Sequence, residues 1–203
     1  MKKITILLLA MATSFHLFAQ EDDEFRTIFQ GDIKKIRGFG GPNMEFTAID
    51  GGFAHMMGGG GGIILNDQLI FGGFGVGMTN SIDAKNIDAN GDNEYQGYNL
   101  EYGYGGLWFG YIIKGKLPIH PVIHTQMGWG SVTVGEPYSS PEHSDNVFVL
   151  NPIVELEMNI TRFFRLGVGA NYRFNFGLNR LDGYGNQDFS GPGGFMSFKF
   201  GWF

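Results

Sequence analysis

Residues 148–174 alternate between apolar and polar side chains along two segments that are separated by a short turn. Apolar residues occupy one parity of the first segment, namely Phe148, Leu150, Pro152, Val154, Leu156, Met158 and Ile160. The other parity holds Asn151, Glu155, Glu157 and Asn159, with Val149 and Ile153 as its only apolar members. The pattern resumes from Phe164 to Phe174, with Arg165 and Arg173 on the polar parity. Because successive side chains of a β-strand point to opposite faces, each segment has one continuous apolar face, which needs either a second protein layer or lipid to cover it.

The N-terminus has the three parts of a secretory signal peptide. Lys2 and Lys3 supply a positive start, residues 4–10 form a largely apolar run, and Ala19 is the small residue before an expected cleavage site. We therefore predict a signal peptide at residues 1–19. No other stretch approaches the roughly twenty apolar residues that a spanning helix needs, so a helical membrane protein is excluded.

Charge and cysteine content narrow the classes further. Loss of Lys2 and Lys3 with the signal leaves twelve basic against twenty acidic residues, a net charge of −8, so we expect no nucleic-acid partner. Cysteine is absent, which excludes disulfides and thiolate metal sites. A chain of this length fits one domain, and closure of a barrel would stabilise it without leaving an edge strand.

The spacing of strands and connections predicts a barrel. We predict eight strands, at residues 38–48, 53–65, 69–79, 98–113, 118–134, 147–160, 163–174 and 192–203. On one side of the predicted barrel the connections are short, at 66–68, 114–116 and 161–162. On the other, outer side they are long, at 80–97, 135–146 and 175–191, except for the short connection at 49–52. Short turns on one side and long loops on the other are typical of outer-membrane barrels. The predicted fold class is thus all-β, an eight-stranded antiparallel transmembrane β-barrel at residues 38–203.

Glycine makes up 34 of the 203 residues and is unbroken from Gly58 to Gly62. Such a run is found in flexible linkers. Here it lies between the apolar segments 53–57 and 63–65. We therefore interpret it as part of a tightly curved strand, where missing side chains leave room for large neighbours in the lumen.

The predicted signal peptide and strands, together with the segment from Met196 to Phe203, resemble the small eight-stranded outer-membrane β-barrel superfamily of OmpA-like and OmpX-like domains. Residues 40–47 and 159–166 further resemble uncharacterised barrel proteins of Bacteroidota-type bacteria. The resemblance implies that the last aromatic residue, Phe203, is the signal that the barrel-assembly machinery reads. Phe203 is one residue out of step with the apolar set Met196, Phe198, Phe200 and Trp202, which predicts an inward or irregular strand end.

Charged side chains on the inward parity are the main candidate site residues. That parity predicts a lumen lined by Glu101, His120, His124, Gln126, Glu155, Glu157, Arg165, Arg173 and Lys199. A hairpin centred near Thr161 would pair Glu157 with Arg165. An eight-stranded barrel is just wide enough to be filled by side chains, so we expect a self-neutralising network; a narrow pore is the alternative. His120 and His124 lie roughly 13 Å apart along a strand and cannot chelate one ion together.

Two other patterns resemble a metal-binding loop and a catalytic group. Asp88, Asn90, Asp92 and Glu94 resemble the first half of a calcium-binding loop, but Asn93 replaces the glycine and Asn99 the final glutamate, so a solvated surface loop is expected. His143 and Ser144 are neighbours within a predicted loop, which does not favour a catalytic triad. We expect no catalytic residue, no cofactor and no metal.

The remaining expectations concern the leader and the aromatic residues. Residues 20–37 are expected to form a periplasmic leader, and the spacing of their apolar residues favours a short amphipathic helix over a disordered segment. Aromatic residues form two bands, as at membrane interfaces. Those assigned to the turn side are Trp108, Tyr111, Phe163, Phe164, Trp202 and Phe203, and those assigned to the loop side are Tyr98, Tyr102, Phe148, Tyr172 and Phe174.

The sequence therefore favours an exported, monomeric outer-membrane barrel with a structural or surface-interaction role. Its expected partners are outer-membrane lipid, lipopolysaccharide and, during biogenesis, the barrel-assembly machinery. A transport barrel for small or hydrophobic solutes and a soluble periplasmic calycin-like ligand-binding barrel are the alternatives. The calycin alternative requires a polar outer wall, which the apolar parity of residues 148–160 does not supply.

Overall fold

The computed structural model describes residues 33–85, 97–135 and 143–203. Its eight long strands have the following bounds: β1 Ile36–Ile49, β2 Gly52–Leu65, β3 Leu69–Met78, β4 Asn99–Ile112, β5 Ile119–Gly135, β6 His143–Asn159, β7 Phe164–Phe176 and β8 Gly191–Gly201. A two-residue strand, Ile82–Asp83, pairs with the start of β4. A four-residue helix, α1, spans Asn186–Phe189 between β7 and β8. No helix in these described ranges is long and apolar enough to cross a membrane.

The eight long strands form one closed antiparallel barrel. Each strand pairs with its neighbours in sequence, β3 pairs with β4 across the first long connection, and β1 pairs with β8 to close the sheet. The closing seam brings Phe39 opposite Gly201. The predicted all-β, eight-stranded antiparallel barrel is thus confirmed.

Side-chain direction follows the alternation read from residues 148–160. Val154 and Leu156 are more than half exposed on the outer wall, whereas Glu155 and Glu157 are buried inside. Val149 and Ile153, the two apolar exceptions on the polar parity, are also buried inside the barrel. The barrel therefore has an apolar outer wall and a mixed polar and apolar interior.

Turns at the strand ends use residues that tolerate a left-handed backbone. Asp50 and Gly51 have φ values of 51° and 75° in the two-residue connection from β1 to β2, a pattern that favours glycine and aspartate. Asn66 and Asp67, between β2 and β3, also have a left-handed backbone, with φ values of 50° and 62°. These tight connections fix the register of the first three strands.

The glycine run lies within β2, as interpreted from the sequence. A Cβ atom added at Gly60 would lie 2.9 Å from Cζ3 of Trp108, so the indole of Trp108 packs against backbone that carries no side chain. Trp108 is only 2% exposed. The missing side chain therefore makes room for the largest ring inside the barrel.

Most strand ends differ from the sequence prediction by one or two residues, and two differences change a connection. β5 ends at Gly135 and β6 begins at His143, so the second outer connection is residues 136–142 rather than 135–146. The hairpin from β6 to β7 is centred at Arg162 rather than Thr161, and Asn159, not Glu157, pairs directly with Arg165. The hydroxyl of Thr161 accepts the backbone N–H groups of Phe163 and Phe164, which explains the shift.

The predicted leader has a similar correction. Ile36 and the residue after it already belong to β1, which begins two residues before the predicted strand. The predicted signal peptide and leader residues 20–32 lie outside the described residues.

The aromatic bands are correct only in part. Tyr111, Phe163 and Trp202 are exposed near the turn side, and Tyr172 and Phe174 are exposed on the outer wall of β7. Trp108 and Tyr102 were assigned to these bands wrongly, because both are buried on the inward parity of β4.

Candidate functional site

The lumen holds two clusters of buried ionic side chains. In the cluster nearer the turn side, Lys199 of β8 lies between Glu155 and Glu157 of β6. The Nζ atom of Lys199 donates to Glu157 Oε2 at 2.6 Å and also contacts Glu155. The Nη1 atom of Arg165 lies 2.8 Å from Glu157 Oε1. We call these two cations and two carboxylates the lower cluster. Their positive and negative charges are equal in number.

Polar neighbours complete the lower cluster. Ser197 donates its hydroxyl to Glu155 Oε2 at 2.9 Å. His120 Nε2 lies 3.2 Å from Glu157 Oε1, and His124 Nε2 lies 3.5 Å from Glu155 Oε1. The two histidines thus contact different glutamates.

A second group, the upper cluster, lies nearer the loop side. Arg173 of β7 donates from Nη1 to Glu45 Oε1 of β1 at 2.5 Å. The Tyr104 hydroxyl donates to Glu45 Oε2 at 3.3 Å, and Asn151 Nδ2 donates to the Tyr104 oxygen at 3.2 Å. Asn171 donates to Asn151 Oδ1 at 2.8 Å. One cation and one carboxylate are therefore held within a shell of neutral hydrogen-bonding groups.

Aromatic rings fill the space beside the lower cluster. The Trp108 indole contacts Phe39 edge-on, with the ring centroids 5.4 Å apart. Its Nε1 atom donates to His124 Nδ1 at 2.9 Å. Because Nδ1 accepts this bond, the ring carries its proton on Nε2, which faces Glu155. The hydrogen bond from Trp108 therefore orients His124, and the opposite ring nitrogen lies near the Glu155 carboxylate without a hydrogen bond to it.

A loop folds over the loop-side end of the lumen. Leu178, Leu181, Tyr184 and Phe189, which lie between the end of β7 and the end of α1, are all buried. The backbone oxygen of Phe189 accepts a hydrogen bond from Arg173 Nε at 2.9 Å. We call residues 177–190 the cap. It rests on the upper cluster and covers it from the loop side.

The cap is tied down at two points. Lys85 lies 2.6 Å from Asp50 Oδ1 and 3.0 Å from Asp188 Oδ1, and thus joins the β1–β2 turn to α1. Burial alone would lower the pKa of Lys85, but its hydrogen bonds and charge interactions with the two aspartates outweigh burial and raise the pKa above 10.5. On the opposite side, Asp145 Oδ2 accepts the backbone N–H groups of Asn179 and Arg180 at 2.6 and 2.7 Å.

The structure brings together most of the predicted lumen residues. His120, His124, Gln126, Glu155, Glu157, Arg165, Arg173 and Lys199 are all buried. Glu101 was wrongly assigned to the lumen: it is exposed and pairs with Thr133 on the outer wall. On β4 the even parity points inward, and Glu101 lies near the loop-side end, where an outward carboxylate does not face lipid hydrocarbon.

Two other candidates stand differently. Asp88, Asn90, Asp92 and Glu94 lie outside the described residues, so the expected solvated loop and its weaker alternative, a calcium site, both stay untested predictions. His143 and Ser144 begin β6 instead of lying in a loop. Ser144 is exposed while the next residue, Asp145, is buried, so the hydroxyl and that carboxylate point to opposite faces of the strand.

Glu45 was missed by the sequence analysis, although it is the ionic partner of Arg173. It lies on β1 between Met44 and Phe46, and is 2% exposed. A lone carboxylate between two large apolar residues was the available signal. Its partner could not be found in this way, because β1 and β7 are not adjacent strands.

A closed eight-stranded antiparallel barrel with an apolar outer wall and a side-chain-filled lumen is the architecture of the small outer-membrane barrels. No protein-family model matches the chain, and no curated protein sequence is significantly similar to it. Solved structures do match. Neisserial surface protein A (NspA) is similar at a TM-score of 0.58 and 14% identity, over 83% of this chain and 97% of that one.

The N-terminal β-barrel domain of Pseudomonas aeruginosa OprF is similar at a TM-score of 0.50 and 11% identity, over 81% of this chain and 97% of that one. At such identities the likeness concerns the fold. The chain has the fold of the small eight-stranded outer-membrane barrels, as its resemblance to OmpA-like and OmpX-like domains predicted.

Proposed function

We propose that this chain is an integral outer-membrane barrel protein that acts structurally or through its loop-side surface, and not by passing solutes through its lumen. The observation that carries the proposal is the filled interior. Lys199, Glu155 and Glu157 occupy the turn-side part, Trp108 packs beside them, and the cap lies over the other end.

The outer wall supports a membrane location. Ile123, Val154 and Leu156 are each more than half exposed on strands β5 and β6, whose inner faces carry polar or charged side chains. Water would not favour such a surface, whereas lipid covers it without cost. A calycin-like soluble barrel would require the reverse distribution, with a polar wall around an apolar cavity.

Heat modifiability of the outer-membrane fraction tests the location. A closed, lipid-embedded barrel should migrate faster on a denaturing gel before boiling than after it, and should be absent from the soluble periplasmic fraction. Recovery in the soluble periplasm without a mobility change would contradict the membrane location and favour the calycin-like alternative.

Conductance in planar bilayers tests the role of the lumen. We expect the purified protein to insert without a steady ionic current, because paired side chains fill the path. A reproducible current would contradict the filled-lumen proposal and favour the narrow transport barrel. An increase of that current on removal of a cap contact, such as the ion pair of Lys85 with Asp188, would then identify the cap as its gate.

The same proposal includes the expected partners. Lipid and lipopolysaccharide would contact the outer wall, and the barrel-assembly machinery would read Phe203. Phe203 follows the end of β8, and its ring lies 3.9 Å from the Arg165 guanidinium carbon. Replacement of Phe203 by alanine should lower the amount of heat-modifiable protein in the outer membrane, measured against the amount synthesised. Unchanged recovery would remove Phe203 from this role.

A further inference from the structure

A cleft opens at the turn-side end of the barrel, next to the lower cluster, with which it shares Arg165. Its volume is about 490 Å³, and its charged lining residues are Lys35, Arg37, Lys116, Arg162, Arg165 and Asp67. We call it the turn-side cleft. Five cations against one carboxylate form a strong local excess in a chain whose net charge is −6. Composition alone does not account for this concentration of positive charge.

Only part of this charge is neutralised. Lys35 and Arg37 both pair with Asp67, at 3.2 and 2.8 Å. Lys116 and Arg162 are exposed, and their side chains form no ion pair within residues 33–85, 97–135 and 143–203. Two cationic side chains of the lining are thus available to a ligand.

A buried donor in the same lining gives a second, independent observation. Arg165 is 8% exposed, and its Nε atom has no hydrogen-bond partner among the described residues. Its Nη1 atom is held by Glu157, and the ring of Phe203 packs on its guanidinium. The side chain is therefore fixed, while one buried N–H group lacks an acceptor. Such a group is costly unless an acceptor supplies the missing bond.

We propose that the turn-side cleft binds a phosphate group. Three guanidinium groups favour an oxyanion that can accept several hydrogen bonds at once, and phosphate offers more acceptor oxygens than a carboxylate. Arg165 Nε supplies a buried, oriented donor, and Lys116 and Arg162 supply exposed positive charge in the same lining.

The position of the cleft suggests the source of the phosphate. Trp202 and Phe163 are 78% and 49% exposed near the same end of the barrel, with their rings 5.9 Å apart. Exposed aromatic side chains of this kind favour the headgroup region of a bilayer. A phospholipid headgroup is the source consistent with that position, and this assignment of the source rests on the proposed membrane location. The phosphate site itself does not, because free phosphate offers the same chemistry.

Nuclear magnetic resonance of the arginine Nε–H groups tests the site in a phosphate-free, non-ionic detergent. The Arg165 signal is assigned by its loss in Arg165→Lys. Sodium phosphate and dihexanoyl phosphatidylglycerol are titrated separately, with sodium chloride at matched ionic strength as the control. We expect a saturable shift of the Arg165 Nε–H signal with phosphate or the lipid, and none with chloride.

Paired variants separate a site from general attraction. Lys116→Gln/Arg162→Gln should weaken binding by about tenfold or more, since two charge-assisted contacts are lost. Lys34→Gln/Lys114→Asn removes the same charge from exposed residues near this end that do not line the cleft, and should leave the affinity unchanged. Heat modifiability checks that each variant is folded.

The outcomes are distinct. Tighter binding of the lipid supports the site and assigns it to a headgroup, whereas equal or tighter binding of inorganic phosphate supports the site and assigns it to the free anion. A shift that does not saturate, that chloride reproduces, or that both double variants weaken equally would overturn the proposal. Because the assay uses protein in detergent, its result is independent of where the protein resides in the cell.

Discussion

Replacing Lys199 with methionine tests whether the lower cluster holds the barrel together. Lys199 is 2% exposed and lies between two carboxylates. Methionine preserves much of the length and apolar stem of lysine, so the change removes mainly the charge. In Lys199→Met, Glu157 would still face Arg165, whereas among the described residues Glu155 would have no lysine or arginine partner.

The structure sets the expected magnitude. Removing one partner of a buried ion pair typically costs about 3–5 kcal/mol, because the other charge stays buried without compensation. Glu157 would keep Arg165 and His120, whereas Glu155 would keep only Ser197 and His124. Most of the destabilisation should therefore come from Glu155, and the double variant Lys199→Met/Glu155→Gln should recover a large part of it.

Guanidinium-induced unfolding of the protein in lipid vesicles, followed by tryptophan fluorescence, provides the measurement. The exposed Lys34→Met variant is the matched control, and it should change the free energy of unfolding by less than about 0.5 kcal/mol. The four proteins, including the wild type, should be compared at the same lipid composition, because lipid contributes to barrel stability.

Two results would refute this reasoning. If Lys199→Met is no less stable than Lys34→Met, the buried charge is not compensated by lysine in the way that the distances indicate. If adding Glu155→Gln lowers stability further instead of restoring it, the cost lies in packing and not in an unpaired carboxylate.

The remaining predictions concern the glycine run and the cap. Gly60→Ala should lower the free energy of unfolding by about 1–3 kcal/mol, because the new methyl group would lie 2.9 Å from both the Gly73 backbone oxygen and the Trp108 ring. Gly75→Ala, whose added Cβ meets no atom within 4 Å, is its control, and equal losses would contradict the packing explanation. Lys85→Met should destabilise the closed position of the cap by up to about 1 kcal/mol, a small amount because this lysine is partly exposed. Hydrogen exchange at the Asp188 amide should then become about fivefold faster. Unchanged exchange would show that the ion pair of Lys85 with Asp188 does not hold the cap. Because the pKa of Lys85 is raised, its contribution should be complete below pH 10.5 and lost only as the pH rises through the raised pKa, which proteolysis of the cap as a function of pH can follow.

The predictability of the fold varied with the regularity of the pattern. β6 was readily predicted because Val154 and Leu156 alternate strictly with Glu155 and Glu157, and this alternation fixes both the strand and its inner face. Loop lengths were less predictable. Polar residues beyond the apolar wall can continue a strand, as Ser144 does at the start of β6, and no change of composition marks where pairing ends.

The site was predictable where partners share a sheet neighbourhood. Glu157 and Arg165 belong to one hairpin, so their meeting followed from parity even though the register was two residues off. The contact of Glu45 with Arg173 crosses the lumen and depends on how the closed sheet curves. The assignment of Glu101 to the lumen was wrong for another reason. Charge was equated with the interior, but near the rim of the barrel a carboxylate can face water from the outer wall.

The seam between β1 and β8 has a consequence for how the chain folds. Phe39 of β1 pairs with Gly201 of β8. One edge of β1 pairs with β2, and the other edge stays unpaired until β8, the last strand, is in place. Loop-closure entropy makes such distant pairing slow, and until it occurs two strand edges remain open to other chains. Folding should therefore be rate-limited by a late closing step, and conditions that delay that step should increase aggregation while leaving the stability of the finished barrel unchanged.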